Sequence, residues 1–348
     1  MTSTLTTESV DQLEDDRATA RPSILRRLFA GSATWVFLLN ILLIGVFTWL
    51  SPQHVFFSLP NLQSQLLNGS VALLLALAMA TLLSAGMFDL SLGSNLVLSS
   101  VVGAITMKSV AATSPNDATI AILLGLLASV LTGIAYGIVN GVLIGYLRVN
   151  SLIATLGTLS IGLGFALLLT GGADIAGLPS QLQTGFGLAR LFGLIPLPAL
   201  VAIGVAIVLW AMFRFTTFGI NTLALGSSRL AVERAGLKVR RQIVGLTSFA
   251  GMLAGLSGFI SLSQYAATTT QGHANDALAA VTAAVIGGTA LTGGRISVIG
   301  TVWGTALAGI LLGGLVTIGV LPFWQYVAVG SILIIAVVLD QFRRRQRS

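Results

Sequence analysis

Long apolar stretches alternate with short polar connections along most of this 348-residue chain. About ten of the stretches approach the roughly 20 residues that an α-helix needs to cross a hydrocarbon layer about 30 Å thick. Their approximate bounds are Thr34–Leu50, Leu66–Ser84, Leu96–Ala112, Ile120–Tyr146, Leu152–Thr170, Pro196–Phe213, Ile243–Ser263, Ala277–Leu291, Val298–Ile318 and Phe323–Leu339. The eighth is short enough to be a re-entrant or broken helix. The pattern predicts an all-α integral membrane protein with about ten transmembrane helices.

The composition agrees with a chain whose main solvent is lipid. Hydrophobic residues make up 55% of the sequence and charged residues only 8%, whereas soluble domains carry about 25% charged residues. With ten spans and a cytoplasmic N-terminus, all of the 18 Lys and Arg residues except Lys108 and Arg190 fall on or near the cytoplasmic side. Because basic residues concentrate in cytoplasmic loops, both termini are predicted to be cytoplasmic, in a multi-pass protein of a bacterial inner membrane.

The two ends of the chain are polar and lie outside the predicted spans. Residues 1–33 mix acids with arginines and do not resemble a secretory signal with a basic head and an apolar core. We predict a disordered cytoplasmic tail for residues 1–33, a single transmembrane domain for 34–340, and a basic cytoplasmic tail for 341–348.

Several kinds of chemistry are disfavoured by the residue types. The chain has no cysteine, and its two histidines, His54 and His273, are far apart in sequence. Neither lysine, Lys108 or Lys238, follows the glycine-rich run that cradles nucleotide phosphates. No nucleophile and base pair lies within the spans, so an intramembrane enzyme is poorly supported. We predict no catalytic residue, no metal site and no cofactor.

Forty glycines indicate close helix packing, because backbones approach each other only where side chains are small. Within three of the spans the glycines recur every fourth residue, at Gly133, Gly137, Gly141 and Gly145, at Gly251 and Gly255, and at Gly300 and Gly304. We interpret these rows as grooves for neighbouring helices.

Asp89 is the carboxylate closest to the apolar interior, in the connection 85–95 between the second and third spans. A charge near hydrocarbon costs on the order of 3 kcal/mol unless it is paired or hydrogen-bonded. Asp89, Ser91 and Asn95 are therefore predicted to form a structural loop staple. A proton or ion relay at Asp89 is the alternative.

Three stretches carry a family resemblance. They are AGMFDLSLGSN at 85–95, NGVLIGYLRVNSLIATLGT at 140–158, and AAVIGGTALTGGRISVIGT at 283–301. In order and spacing they resemble the ribose-type (monosaccharide) ABC transporter permeases, of the branched-chain amino acid and ribose permease family, over about residues 60–340. The resemblance implies a permease domain, without its own ATPase site, for a monosaccharide or sugar-like solute. An ion-coupled secondary transporter of small polar solutes is the alternative.

The resemblance also implies partners: cytoplasmic ABC ATPase subunits, a second permease copy or paralogue, and a periplasmic solute-binding protein, in a lipid bilayer and without nucleic acid. An amphipathic segment in the longest cytoplasmic loop is predicted to couple to the ATPase through Gly226, Arg229, Leu230, Ala231, Glu233, Arg234 and Gly236. Polar side chains predicted to line the translocation pathway are Asn95, Ser99, Asn140, Thr155 and Thr158, for which interhelical hydrogen bonding is an equal alternative. Docking of the binding protein is predicted at Gln271, His273, Asn275 and Asp276.

Overall fold

The computed structural model describes residues 32–113, 117–270, 272–273 and 275–321, with isolated positions between 323 and 338. Its main elements are helices. In chain order they are α1 (Ser32–Leu50), a 3₁₀ turn (Pro52–Phe57), α2 (Leu59–Ser84), α3 (Leu92–Thr113), α4 (Ala118–Gly145), α5 (Ser151–Thr170), the single turn α6 (Ser180–Leu182) with a wider turn (Gln183–Gly187), strands β1 (Arg190–Leu191) and β2 (Ile195–Pro196), α7 (Leu197–Phe215), α8 (Thr217–Ser227), α9 (Arg229–Arg234), α10 (Val239–Tyr265), α11 (Asp276–Ile286) and α12 (Val298–Thr317).

The all-α membrane architecture predicted from the sequence is confirmed. Within the described residues, eight helices are long and apolar enough to cross a membrane. The predicted span Phe323–Leu339 lies mostly outside the described residues, as do the tails 1–31 and 339–348. The count of ten spans and the side on which the termini lie therefore stay predictions, and "cytoplasmic" and "outer" below follow that predicted orientation.

The eighth apolar stretch forms a helix of about half the length needed to cross a bilayer. This helix, α11, has 11 residues and stops at Ile286, ahead of the Gly287-Gly288 pair. Gly288, Gly293 and Gly294 all have positive φ, between 77° and 99°, a conformation that glycine adopts without steric cost. Glycine therefore ends the helix here and lets the connection fold back into α12.

The interior is centred on α2 and α10, the most buried of the span-length helices. A long seam of close backbone contact lies between α4 and α10, where two of the three predicted glycine rows meet. A Cβ atom on Gly133 would lie 2.8 Å from the Cα of Gly255, and one on Gly251 would lie 3.0 Å from the Cα of Gly137. The grooves predicted on α4 and α10 are thus confirmed and face each other, while the third row, Gly300 and Gly304 on α12, lies against Ala283 and Gly287.

The start of α2 and the helical content of the connection between α7 and α10 differ most from the sequence-based expectation. Helix α2 begins at Leu59, seven residues before the predicted start, because Pro60 in the first turn needs no backbone N–H donor there. The predicted cytoplasmic loop 216–241 is largely helical, since Thr216 caps α8 by accepting from the Gly219 amide at 3.3 Å.

Candidate functional site

The chain reverses direction at the end of α2, where three connections meet. Gly86 has φ 73°, and the amide of Gly294 donates to the carbonyl of Ser84 at 2.9 Å. A Cβ atom on Gly293 would lie 2.8 Å from the Cα of Gly226 and 2.9 Å from the nitrogen of Gly86. The backbone at the ends of α2 and α8 and the backbone between α11 and α12 are therefore in direct contact.

Beyond this turn, the chain carries Asp89 into the protein interior. Asp89 is only 4% exposed. One carboxylate oxygen accepts from the Ser91 amide at 2.8 Å and from the Ser91 hydroxyl. The other accepts from the Asn140 side-chain nitrogen at 3.2 Å, and that nitrogen also donates to the Ser91 hydroxyl oxygen at 2.9 Å. These hydrogen bonds offset part of the cost of removing the carboxyl group from water.

Tyr136 extends the polar cluster from α4 to α3 and α5. Its hydroxyl lies 2.9 Å from that of Ser94 and donates to the carbonyl of Thr158. Tyr136 lies nine residues before the end of α4, a rise of about 14 Å at 1.5 Å per residue. The cluster therefore lies well inside the length of the helix.

The first turns of α5 contribute hydroxyl groups to the same region. The amide of Leu90 donates to the Thr155 hydroxyl and the amide of Phe88 to the Ser151 hydroxyl, each at 3.3 Å. The amides of Phe88 and Leu90, in the irregular connection between α2 and α3, are thus satisfied by side chains of a neighbouring helix, as buried backbone requires.

All five predicted pathway residues are buried, and α3, α4 and α5 bring them into one region. The Asn95 amide donates to the Gly133 carbonyl at 3.3 Å, and its oxygen accepts from the Ser99 hydroxyl at 3.1 Å. The Asn140 oxygen is buried and accepts no hydrogen bond from the described residues. Thr155 and Thr158 donate to carbonyls of their own helix.

The partners of Asp89 differ in part from those the sequence indicated. Ser91 binds Asp89 as expected, but the hydrogen bonds of Asn95 go to Gly133 and Ser99. Asn140, 51 residues away, contacts the carboxylate instead. Sequence reasoning also missed Tyr136, although a tyrosine in the middle of an apolar span, away from the interfaces where aromatic residues concentrate, is a detectable signal.

The predicted coupling segment contains a short, capped helix. The Ser228 hydroxyl accepts from the Ala231 amide at 3.3 Å at the start of α9, and Gly236 follows its end with φ 78°. Arg229 and Glu233 form an exposed ion pair at 3.1 Å, and Leu230 is 68% exposed. Of the other predicted coupling residues, Ala231 and Arg234 are exposed on α9. Gly226 lies in the last turn of α8, against the Ser84 carbonyl.

The predicted docking residues lie between α10 and α11, in a connection that folds back onto the bundle: a Cβ atom on Gly93, in the first turn of α3, would overlap the His273 carbonyl oxygen. His273 is half-buried, with Nδ1 2.7 Å from a carboxylate oxygen of Asp276 and Nε2 2.9 Å from the Thr269 hydroxyl. Its Nε2 also lies 3.3 Å from the hydroxyl of Ser261 on α10. Asn275 is exposed, and Gln271 lies outside the described residues.

A bundle of apolar helices that holds polar side chains in its interior and carries a half-length helix is typical of a multi-pass membrane transport protein. The chain belongs to the family of permease components of branched-chain amino acid transport systems, whose profile matches residues 61–338.

Three curated relatives are permeases for sugars. A galactose/methyl galactoside import permease of Haemophilus influenzae is 33% identical over 317 residues, covering 88% of this chain and 94% of the relative. A ribose import permease of Bacillus subtilis is 38% identical over 272 residues, covering 77% of this chain and 80% of the relative. An L-arabinose ABC transporter permease of Azospirillum brasilense is 31% identical over 287 residues, covering 82% and 81%. No solved structure matches the chain.

Proposed function

We propose that this chain is the transmembrane permease subunit of an ATP-binding-cassette importer that moves a monosaccharide or a sugar-like solute across the inner membrane. Relatives that cover most of the chain are permeases for galactose, ribose and L-arabinose. They favour this function over the ion-coupled secondary transporter. ATP hydrolysis belongs to partner chains in this proposal.

The observation that carries the ATP-coupled mechanism is the capped helix α9. A short helix transmits force better than a flexible segment, because its contacts keep their shape. Leu230 and Ala231 face outward, whereas Val232 is buried against the bundle. In our proposal the outward face of α9 fits a groove on a cytoplasmic ABC ATPase subunit.

The buried polar cluster supplies the proposed pathway for the solute. Asn95, Ser99, Asn140, Thr155 and Thr158 offer hydroxyl and amide groups in an otherwise apolar bundle. The Asn140 oxygen is the strongest candidate contact, since it is a buried acceptor without a hydrogen bond from the described residues. A passing sugar hydroxyl would satisfy it.

In the same proposal, Asp89 is a structural staple rather than a proton relay, with Ser91 and Asn140 as its partners. Asn95 supports the same region by joining α3 to α4. On the outer side, Gln271, His273, Asn275 and Asp276 dock a periplasmic solute-binding protein. A second permease copy or a paralogue completes the transporter.

Exposed coupling residues allow a direct test. Ala231→Asp places a charge on the outward face of α9, and Gly236→Pro replaces a glycine at φ 78° with a residue restricted to about −65°. Both variants should insert normally and lose either association with the cognate ATPase or the dependence of sugar uptake on hydrolysis. Copurification and transport in proteoliposomes measure these two properties.

A matched control separates coupling from general surface damage. Leu230 is 68% exposed on α9, and Leu147 is 65% exposed at the connection between α4 and α5. Leu230→Asp should weaken ATPase binding, and Leu147→Asp should weaken it far less. If Ala231→Asp and Gly236→Pro both copurify with the ATPase and transport at wild-type rates, the coupling assignment is wrong.

A further inference from the structure

The strands β1 and β2 form a small hairpin whose surface is almost entirely apolar. From Leu191 to Ile195 all five consecutive residues are exposed, and Phe192 at the tip is 89% exposed. Arg190 is the single charged residue between 188 and 197, and there is no acidic residue in that stretch. The hairpin runs directly into α7 at Leu197, so it lies at the end of a membrane span.

The tip holds its aromatic side chain in an unfavourable backbone conformation. The Leu194 amide donates to the Leu191 carbonyl at 3.0 Å, while Phe192 has φ 52° and Gly193 has φ 71°. Positive φ at both central residues is the geometry of a type I′ turn, which prefers Asn-Gly or Asp-Gly. A bulky residue with positive φ is a true outlier. The hairpin thus presents phenylalanine where local backbone energetics favour a small polar residue.

A buried side chain satisfies the carbonyl groups at the tip. Gln63 on α2 is 4% exposed, and its nitrogen donates to the carbonyls of Gly193 at 2.9 Å and Leu194 at 3.2 Å. The Leu197 amide closes the hairpin by donating to the Ala189 carbonyl at 2.9 Å. These hydrogen bonds hold the tip of the hairpin against helix α2 and leave the Phe192 side chain pointing away from the bundle.

We propose that the hairpin 188–196 is an interfacial anchor that inserts Phe192 and its apolar neighbours into the headgroup and acyl boundary of the bilayer. Phe and Leu side chains insert at this boundary in interfacial segments, and Arg190 can contact lipid phosphate from the same strand. The absence of acidic residues in this stretch suits an anionic lipid surface. Gln63 fixes the anchor to the core helix α2, so the bilayer positions the outer end of the bundle.

The cysteine-free sequence makes the proposal directly measurable by site-directed spin labelling. Phe192→Cys would carry a nitroxide in nanodiscs of phosphatidylethanolamine and phosphatidylglycerol. The control, Gln181→Cys, labels an exposed polar position of α6 in the same connection. Collisions with oxygen, which concentrates in lipid, should exceed collisions with a water-soluble nickel chelate at 192, and the order should reverse at 181. Uptake should be unchanged in both variants.

Gln63→Leu in the 192-labelled protein tests the attachment. Nickel collisions at 192 should rise and the spectral lines should sharpen, because the tip loses its two hydrogen bonds.

Three results would overturn the anchor: nickel access at 192 equal to that at 181, protection of 192 that appears only when the solute-binding protein is added, or dipolar broadening that places 192 against a second copy of the chain. A 192 label that keeps its depth and line shape in Gln63→Leu would overturn the role of Gln63. The anchor does not depend on the transported solute, so its failure leaves the proposed function standing.

Discussion

The seam between α4 and α10 gives a quantitative prediction for glycine packing in this bundle. At Gly137 an added Cβ would lie 2.8 Å from the Cα of Ser248 and 2.8 Å from the carbonyl carbon of Thr247. Both neighbours are backbone atoms, so the clash can be relieved only if the two helices separate. Overpacking of a tight interior costs about 1–3 kcal/mol, while replacing glycine with alanine inside a helix recovers up to about 1 kcal/mol.

We therefore expect Gly137→Ala to reduce the free energy of unfolding by about 1–2 kcal/mol. A Cβ that would overlap the Thr247 carbonyl oxygen places the overpacking cost in the upper part of its range, about 2–3 kcal/mol, and helix propensity recovers about 1 kcal/mol. Because about 1.4 kcal/mol corresponds to a factor of ten in an equilibrium constant, the ratio of folded to unfolded protein near the wild-type midpoint should fall by roughly that factor. Gly157→Ala is the matched control, since nothing lies within 4 Å of a Cβ at that position on α5. Gly157→Ala should be neutral or slightly stabilising.

In the assay, detergent-solubilised protein is heated and then run on size-exclusion chromatography. The fraction that remains monodisperse is measured by tryptophan fluorescence. The midpoint of Gly137→Ala should fall below that of the wild type, and the midpoint of Gly157→Ala should not. Equal midpoints for the two variants would show that the α4–α10 seam is looser than the structure indicates and would refute the packing argument.

Two further predictions concern the polar sites. Asp89→Asn should insert and retain most sugar uptake, because the side-chain oxygen of asparagine can still accept from the Ser91 amide and hydroxyl. Collapse of uptake in a well-expressed Asn variant would favour the proton relay. Asp276→Lys should abolish the stimulation of ATPase activity by the binding protein. Because this change also breaks the contact between Asp276 and His273, Asn275→Lys is the control: it adds a charge at an exposed neighbour and leaves that contact in place. Unchanged stimulation in both variants would argue against docking at this loop.

The membrane architecture was predictable because hydrocarbon imposes one rule on every span. Backbone groups must pair within the segment, which leaves apolar helices of about 20 residues as a readable pattern. The glycine rows were readable for a similar reason, since a repeat of four places small residues on one helical face. The break in the eighth apolar stretch was also predicted, because that stretch is short for a bilayer span; a glycine pair alone does not cause such a break, since Gly313-Gly314 lies inside the continuous helix α12.

Contacts between distant segments could not be read in the same way. Asn140 binds Asp89 because α4 packs beside the loop that leaves α2, and no local pattern records that neighbour. Serine and asparagine close to Asp89 in sequence were the natural candidates, and Asn95 was one of them. The hairpin 188–196 was missed because its strands are two residues long, too short for an alternation of apolar and polar positions to be visible.

The proposed coupling helix and the polar cluster are linked by a short series of contacts. Helix α9 follows α8 directly, and the last turn of α8 places Gly226 where an added Cβ would lie 2.5 Å from the Gly294 nitrogen. Gly294 in turn donates to the Ser84 carbonyl, five residues before Asp89. Because these contacts join backbone to backbone, they leave no flexible side chain to absorb a displacement. Under the proposed coupling role, a movement of α9 would therefore reach the loop that holds Asp89 and, through Asn140, the proposed pathway for the solute.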